Sequence, residues 1–145
     1  MYRMLLLRNI NRIRLYLIVP VLGILYGCAP SGMIIDRDTF ETPVKKMYLS
    51  EEPYLKVLHG GCIQKISLKQ IQMVKISRES SMFFENELFY GGEVILKSGA
   101  KIQSSKDKTK QNPVFISIQN TLKGKSKEHA FSISLDNIVQ IQVKK

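Results

Sequence analysis

Two stretches, ISLKQIQMVKI at residues 66–76 and ISLDNIVQIQV at residues 133–143, carry the same pattern of apolar and polar residues. Each begins Ile-Ser-Leu, continues with two polar residues, and ends in alternating apolar residues. A segment as short as Ser-Leu-x-x suits one helical or 3₁₀ turn rather than an α-helix. Both stretches therefore predict a strand, a short turn with its leucine plugging the core, and a second strand.

The second stretch begins 67 residues after the first, which leaves too little chain for two complete copies of a domain. We expect a structural element that is used twice within one domain. The strand, turn, strand pattern resembles the ending of small Sm-like and Src-homology-like barrels. This resemblance implies an architecture and says nothing about activity.

The chain around these stretches, from residue 54 to residue 145, has the composition of β structure. Short runs rich in Val, Ile and Phe alternate with turn residues, and no stretch has a helical period. Hairpins are predicted at Gly60–Gly61, at Ser98–Gly99, and in VFISIQNTLKGKSKEHAFSISL, where Val114, Ile116 and Ile118 form an aliphatic face. The predicted fold is all-β, a small antiparallel barrel or sandwich built from hairpins.

The N-terminal residues 1–27 have the organisation of an export signal. Four arginines precede an uncharged apolar run at residues 15–27. Such a run fits the core of a signal peptide, whereas a membrane-spanning helix needs about 20 residues. An uncleaved apolar anchor with a chance cysteine is the alternative.

Leu25, Tyr26, Gly27 and Cys28 resemble the lipobox of bacterial lipoprotein precursors, with Tyr26 where that family usually has a small residue. The resemblance implies cleavage between Gly27 and Cys28, a diacylglycerol on the Cys28 sulfur, and a fatty acid such as palmitate on the new amino group. It also implies a membrane-anchored protein of the bacterial cell envelope. Ala29 favours the outer membrane in a host with two membranes.

Residues 28–53 contain Pro30, Gly32, Pro43 and Pro53 and no sustained period, so we expect a lipidated tether. As a flexible coil it would span roughly 25 Å. Two short apolar runs within it, at residues 33–35 and 47–49, would dock on the domain as an edge segment.

The net charge of the whole chain is +10, and +6 of it lies at or after Cys28, where 18 basic residues face 12 acidic ones. Such a balance favours anionic partners. Two groups of lysines would form an anion-binding rim for phosphate-bearing envelope polymers or lipid headgroups if they faced each other: Lys106, Lys108 and Lys110, and Lys123, Lys125 and Lys127. The alternative is a pair of solvated loops that protect a sheet edge.

No catalytic or metal-binding motif is recognised, and no catalytic residue, metal or cofactor is predicted. His59 and Cys62 flank the Gly60–Gly61 turn. A small buried core cysteine at position 62 is a simpler interpretation than a pair of metal ligands. The acidic pairs Glu51–Glu52 and Glu85–Glu87 are expected to be solvated. A cluster of four aromatic residues is expected in the core: Phe83, Phe84, Phe89 and Tyr90.

The sequence thus favours a lipid-anchored envelope protein whose β domain binds or scaffolds another envelope component without catalysis. One alternative is an enzyme accessory or weakly catalytic domain that uses His59. Another is a small barrel that binds an anionic polymer such as nucleic acid, which an exported protein is not expected to meet. The oligomeric state is not predicted.

Overall fold

The computed structural model describes residues 28–102 and 114–145, and within them every regular element is a strand or a 3₁₀ turn. The predicted all-β class is confirmed. The predicted signal peptide with Leu25, Tyr26 and Gly27, and the predicted anion-binding residues Lys106, Lys108 and Lys110, lie outside the described residues. The strands are β1 (Gly32–Asp36), β2 (Glu41–Leu49), β3 (Leu55–His59), β4 (Cys62–Ile66), β5 (Ile71–Phe84), β6 (Glu87–Leu96), β7 (Val114–Ser117), β8 (Thr121–Ser126), β9 (His129–Ser134) and β10 (Ile138–Val143).

All ten strands pair antiparallel in one curled sheet that forms a half-barrel. Their order is β4-β3-β7-β6-β5-β10-β1-β2-β8-β9. The centre of this order is the contact between β5 and β10, the two strands that end the repeated stretches. β4 and β9 are the two edges.

The Ser-Leu segments form the 3₁₀ turns Leu68–Gln70 and Leu135–Asn137, as predicted. Ser67 and Ser134 cap them with nearly identical backbone angles, φ −68° and ψ 141° against φ −67° and ψ 142°. Each serine hydroxyl accepts the backbone N–H two residues later, which satisfies a donor that the short turn leaves free. Leu68 and Leu135 are buried in the main core.

The sheet consists of two five-stranded halves related by an approximate two-fold axis between β5 and β10. Val74 pairs with Ile141, and these two residues occupy the same position of the repeat. The correspondence extends without a gap over residues 55–76 and 122–143, which include hairpins β3–β4 and β8–β9. The repeat is therefore twice as long as the sequence comparison suggests.

The first half contains β3 to β7, whereas the second contains β8, β9 and β10 and is completed by β1 and β2. β1 pairs with β10 as β6 pairs with β5, and β2 pairs with β8 as β7 pairs with β3. The expectation that the chain lacks room for two copies is wrong, because the N-terminal strands supply the missing part.

The prediction of a tether over residues 28–53 is wrong for most of its length. β1 and β2 lie inside the sheet, between β10 and β8, so the folded domain begins near Gly32 rather than Tyr54. A glycine is required at position 32 of β1 because a Cβ there would lie 2.1 Å from the Gln142 carbonyl oxygen. Pro43 is tolerated because β2 begins to pair with β8 only at Lys45.

The turn at Gly60–Gly61 is confirmed, with positive φ at both residues. Its counterpart between β8 and β9 has positive φ at Lys127 and Glu128. The predicted turn at Ser98–Gly99 is present, but its second arm is a single bridge between Ile95 and Lys101. The longest hairpin, β5–β6, was not predicted from the sequence.

The main core lies on the inner face of the sheet and a smaller apolar cluster lies on the outer face of β3, β6 and β7. That cluster contains Leu58, Phe89 and Phe115. Phe115 lies on the opposite face of β7 from Val114 and Ile116, and all three residues are buried. Both faces of β7 are therefore buried. The four aromatic residues expected in the core separate: Phe89 is buried, Phe84 and Tyr90 are partly buried, and Phe83 is 76% exposed.

Candidate functional site

A cationic surface is formed by β2, β8 and the residues that follow β10, and its members are Lys45, Lys46, Tyr48, Lys123, Lys125, Lys144 and Lys145. It contains two of the six predicted anion-binding lysines. Lys123 and Lys125 lie in β8 rather than in a loop, and their spacing places both side chains on one face. Lys45 lies directly opposite Lys125, and the exposed Tyr48 lies opposite Lys123. Lys45 and Tyr48 belong to the segment that the sequence predicts to be a tether.

Like charges on directly opposite residues of a strand pair destabilise the pair. In the described part of the chain, none of the lysines on this surface forms an ion pair with a carboxylate. The surface therefore holds positive charge that the described part of the fold leaves without a paired carboxylate. Such a surface is suited to an anionic partner.

The remaining predicted lysines are placed differently. Lys127 lies in the β8–β9 turn at φ 46°. Lys106, Lys108 and Lys110 lie outside the described residues, so a rim formed by two facing groups stays a prediction. The spacing of the apolar residues Val44, Met47 and Leu49 is the sequence signal for β2. In the structure these three residues are buried and the residues between them are exposed.

Cys28 is exposed and lies at the end of β1 that the cationic surface borders. The Pro30 carbonyl accepts a 2.7 Å hydrogen bond from the Met47 amide, and the Ser31 carbonyl accepts a 2.8 Å bond from the Lys144 amide. The chain that leads to Cys28 is thus held between β2 and the residues that follow β10. We call this region the anchor end of the sheet, after the lipid anchor that is predicted at Cys28.

At the opposite end of β1, two arginines converge on one aspartate. Arg78 Nη2 donates to Asp136 Oδ1 at 2.8 Å, and Arg37 Nε donates to the Asp136 carbonyl oxygen. Both guanidinium carbons lie about 6 Å from the centre of the Tyr90 ring, at 6.0 Å for Arg37 and 5.8 Å for Arg78. These contacts join the β1–β2 turn, β5 and the second 3₁₀ turn.

A groove of about 720 Å³ adjoins this arginine cluster. We call the end of the sheet that carries the cluster and the groove the distal end. Its lining includes Arg37, Lys75, Arg78 and Val139. Four of the five large hydrophobic residues that the described structure exposes lie on strands or turns at this end: Phe40, Met82, Phe83 and Val139. The fifth is Tyr48 at the anchor end.

The ammonium group of Lys56 bridges the carboxylates of Glu52 and Glu87, which belong to different acidic pairs of the sequence. Its ammonium lies 3.0 Å from both Glu52 Oε1 and Glu87 Oε2, and Ser117 donates to the other Glu87 oxygen. The bonds to Glu87 and then Glu52 raise the pKa of Lys56 above its usual value. Glu85 instead lies in the β5–β6 turn at φ 49°. A lysine that stays charged bridges both carboxylates and offsets one of their two negative charges, which suits a structural role.

His59 and Cys62 pair across the end of hairpin β3–β4. Cys62 is exposed, so the prediction of a buried core cysteine is wrong. The Nε2 atom of His59 is buried and has no hydrogen-bond partner within the described residues. Among those same residues, no three metal-ligating side chains come together.

No protein-family model, curated protein or solved structure matches this chain. Across residues 28–102 and 114–145, no helix is long and apolar enough to cross a membrane.

Proposed function

We propose that this protein is a lipid-anchored component of the bacterial cell envelope, and that its β domain binds or scaffolds another envelope component without catalysis. The observation that carries the proposal is the separation of two surfaces along the central strands. Cys28 and the cationic surface lie at the anchor end, whereas the arginine groove and most exposed apolar side chains lie at the distal end.

The anchor end supports the attachment part of the proposal. The lipobox resemblance makes Cys28 the acylated residue, and two or more acyl chains bind a membrane stably where one binds only marginally. Cys28 is exposed, so an acyl group on its sulfur requires no opening of the sheet. In a host with two membranes, Ala29 favours the outer one.

The distal end supports the binding part of the proposal. Phe40 is 68% exposed and Phe83 is 76% exposed, and both lie on the side of the sheet away from the anchor. Exposed aromatic side chains and arginines are enriched at protein interfaces, where these residue types carry much of the binding energy. An envelope protein is therefore the partner class that we expect here.

Attachment is tested by intact mass measurement of the protein extracted from membranes. The expected species begins at Cys28 and carries the mass of a diacylglycerol and one further acyl chain. Cys28→Ala should lose the lipid mass and remain an uncleaved precursor. An acylated Cys28→Ala protein would refute the attachment site.

Partner binding is tested with a photo-crosslinking amino acid at Phe83 and, as a matched control, at Gln64. Both positions are exposed, and Gln64 lies on edge strand β4 of the same half. We expect a discrete cross-linked envelope protein from position 83 that disappears in Phe40→Ser. Equal cross-linking from both positions, or none from position 83, would refute a distal binding surface.

A further inference from the structure

We propose that the cationic surface at the anchor end binds the anionic phospholipid headgroups of the membrane that holds Cys28, so that the domain lies on this membrane in one orientation. This inference rests on the proposed lipid anchor and names a ligand for the surface beside it. The surface is defined by six lysines and one tyrosine: Lys45, Lys46, Tyr48, Lys123, Lys125, Lys144 and Lys145.

The first argument is that almost no free chain separates the anchor from the sheet. Pro30 and Ser31 already bond to neighbouring strands. Two residues span at most about 7 Å between Cα atoms, so Cys28 stays close to the position of Pro30. A domain held this closely cannot stand away from the headgroups, and one of its surfaces has to face them.

The second argument is that lysines border the anchor on both sides. In the sheet, Gly32 pairs with Val44 on one side and with Val143 on the other. Lys45 and Lys46 follow directly after Val44, and Lys144 and Lys145 follow directly after Val143. The register of β1 thus places basic residues from both neighbouring strands beside the chain that leads to Cys28.

The third argument concerns charge and exposure. Lys45, Lys46, Lys125, Lys144 and Lys145 are exposed, and within the described residues no ion pair involves any lysine of this surface. Attraction to an anionic surface extends over a Debye length of about 8 Å at physiological salt, which matches the reach of the anchor. Each lysine so placed strengthens binding by about fivefold.

Tyr48 completes the surface. It is 54% exposed and lies opposite Lys123, two residues after Lys46. Tyrosine is enriched at the level of lipid headgroups because its ring is apolar and its hydroxyl is polar. A tyrosine among lysines fits a headgroup layer better than it fits a soluble polyanion alone.

The test uses the absence of tryptophan from the sequence, which makes any introduced tryptophan the only one. The full acylated protein with Tyr48→Trp is reconstituted into phosphatidylcholine vesicles with or without phosphatidylglycerol, each with brominated acyl chains that quench nearby tryptophan. Phe83→Trp at the exposed tip of hairpin β5–β6 is the matched control. The mass of each sample establishes acylation before reconstitution.

We expect tryptophan at position 48 to be blue-shifted and quenched with phosphatidylglycerol, and both effects to diminish at high salt. Tryptophan at position 83 should stay unquenched in every vesicle. Lys45→Gln with Lys125→Gln should weaken docking by about 25-fold, from two lysines at about fivefold each. Lys65→Gln with Lys75→Gln removes the same charge elsewhere on the sheet and should leave quenching unchanged.

Equal quenching at positions 48 and 83, quenching that is independent of phosphatidylglycerol, or equal effects of the two lysine pairs would overturn the inference. Protection of position 48 by inorganic polyphosphate but not by anionic vesicles would also overturn it, in favour of a soluble polyanion. In all of these cases an acylated Cys28 leaves the proposed function standing. A protein without acyl chains on Cys28 would overturn both.

Discussion

Val74 and Ile141 face each other across the contact between β5 and β10 and occupy equivalent positions of the two halves. This pair marks the approximate two-fold axis of the sheet, and the equivalence extends to the strands beside it. Gly92 pairs with Ile76 in the first half as Gly32 pairs with Val143 in the second. The two glycines are therefore equivalent, although one belongs to β6 and the other to β1.

We expect Gly32→Ala and Gly92→Ala to destabilise the domain by similar amounts, about 1 to 3 kcal/mol each. A Cβ at Gly92 would lie 2.3 Å from the Lys75 carbonyl oxygen, as a Cβ at Gly32 would lie 2.1 Å from that of Gln142. Denaturant unfolding followed by circular dichroism measures the loss. Ser132→Ala, at an exposed strand position, is the control, and clearly unequal losses in Gly32→Ala and Gly92→Ala would contradict the two-fold relation.

Removing the caps of the two 3₁₀ turns should have matching effects. Ser67→Ala and Ser134→Ala each take away an acceptor for a backbone N–H, and we expect each to cost about 1 kcal/mol in the free energy of unfolding. Ser134→Asp keeps a side-chain acceptor and should retain most of the stability. The idea fails if the aspartate variant is as unstable as the alanine variant.

The Lys56 cluster should stabilise the fold up to alkaline pH. Because bonds to Glu87 and Glu52 raise the pKa of Lys56 in the folded state, its contribution is complete below the usual lysine pKa of 10.5 and is lost as pH rises through the higher folded value. We expect Lys56→Met to be less stable than wild type at pH 7, with the difference shrinking above about pH 10.5. A difference that stays constant into that range would contradict this assignment.

Lys125→Glu should increase stability and reduce membrane docking at the same time. The substitution replaces the like-charged pair of Lys45 and Lys125 by an oppositely charged pair. This change should raise the free energy of unfolding by about 0.2 to 1 kcal/mol. Thermal unfolding measures the gain and the quenching assay measures the loss. If both quantities fell, the substitution would have damaged the fold, and Lys125→Gln would then separate charge from structure.

Much of the fold could be predicted because its determinants are local. Gly60 and Gly61 specify a turn by their backbone freedom, and Ser67 and Ser134 specify caps within two residues of their partners. The prediction of a tether over β1 and β2 is wrong because Pro30, Gly32 and Pro43 are residue types typical of loops. Gly32 instead lies in β1, where the close approach of the Gln142 carbonyl, distant in sequence, leaves no room for a Cβ.

By itself the sequence determined the all-β class, the two short Ser-Leu turns and the glycine hairpin, since each depends on neighbouring residues. Only the tertiary structure decided that β1 and β2 complete the second half, that Lys45 lies opposite Lys125, and that Arg37 reaches Asp136 across 99 residues of sequence. Strand pairing is set by which apolar faces can be buried together. That choice depends on the whole sheet rather than on any stretch of chain.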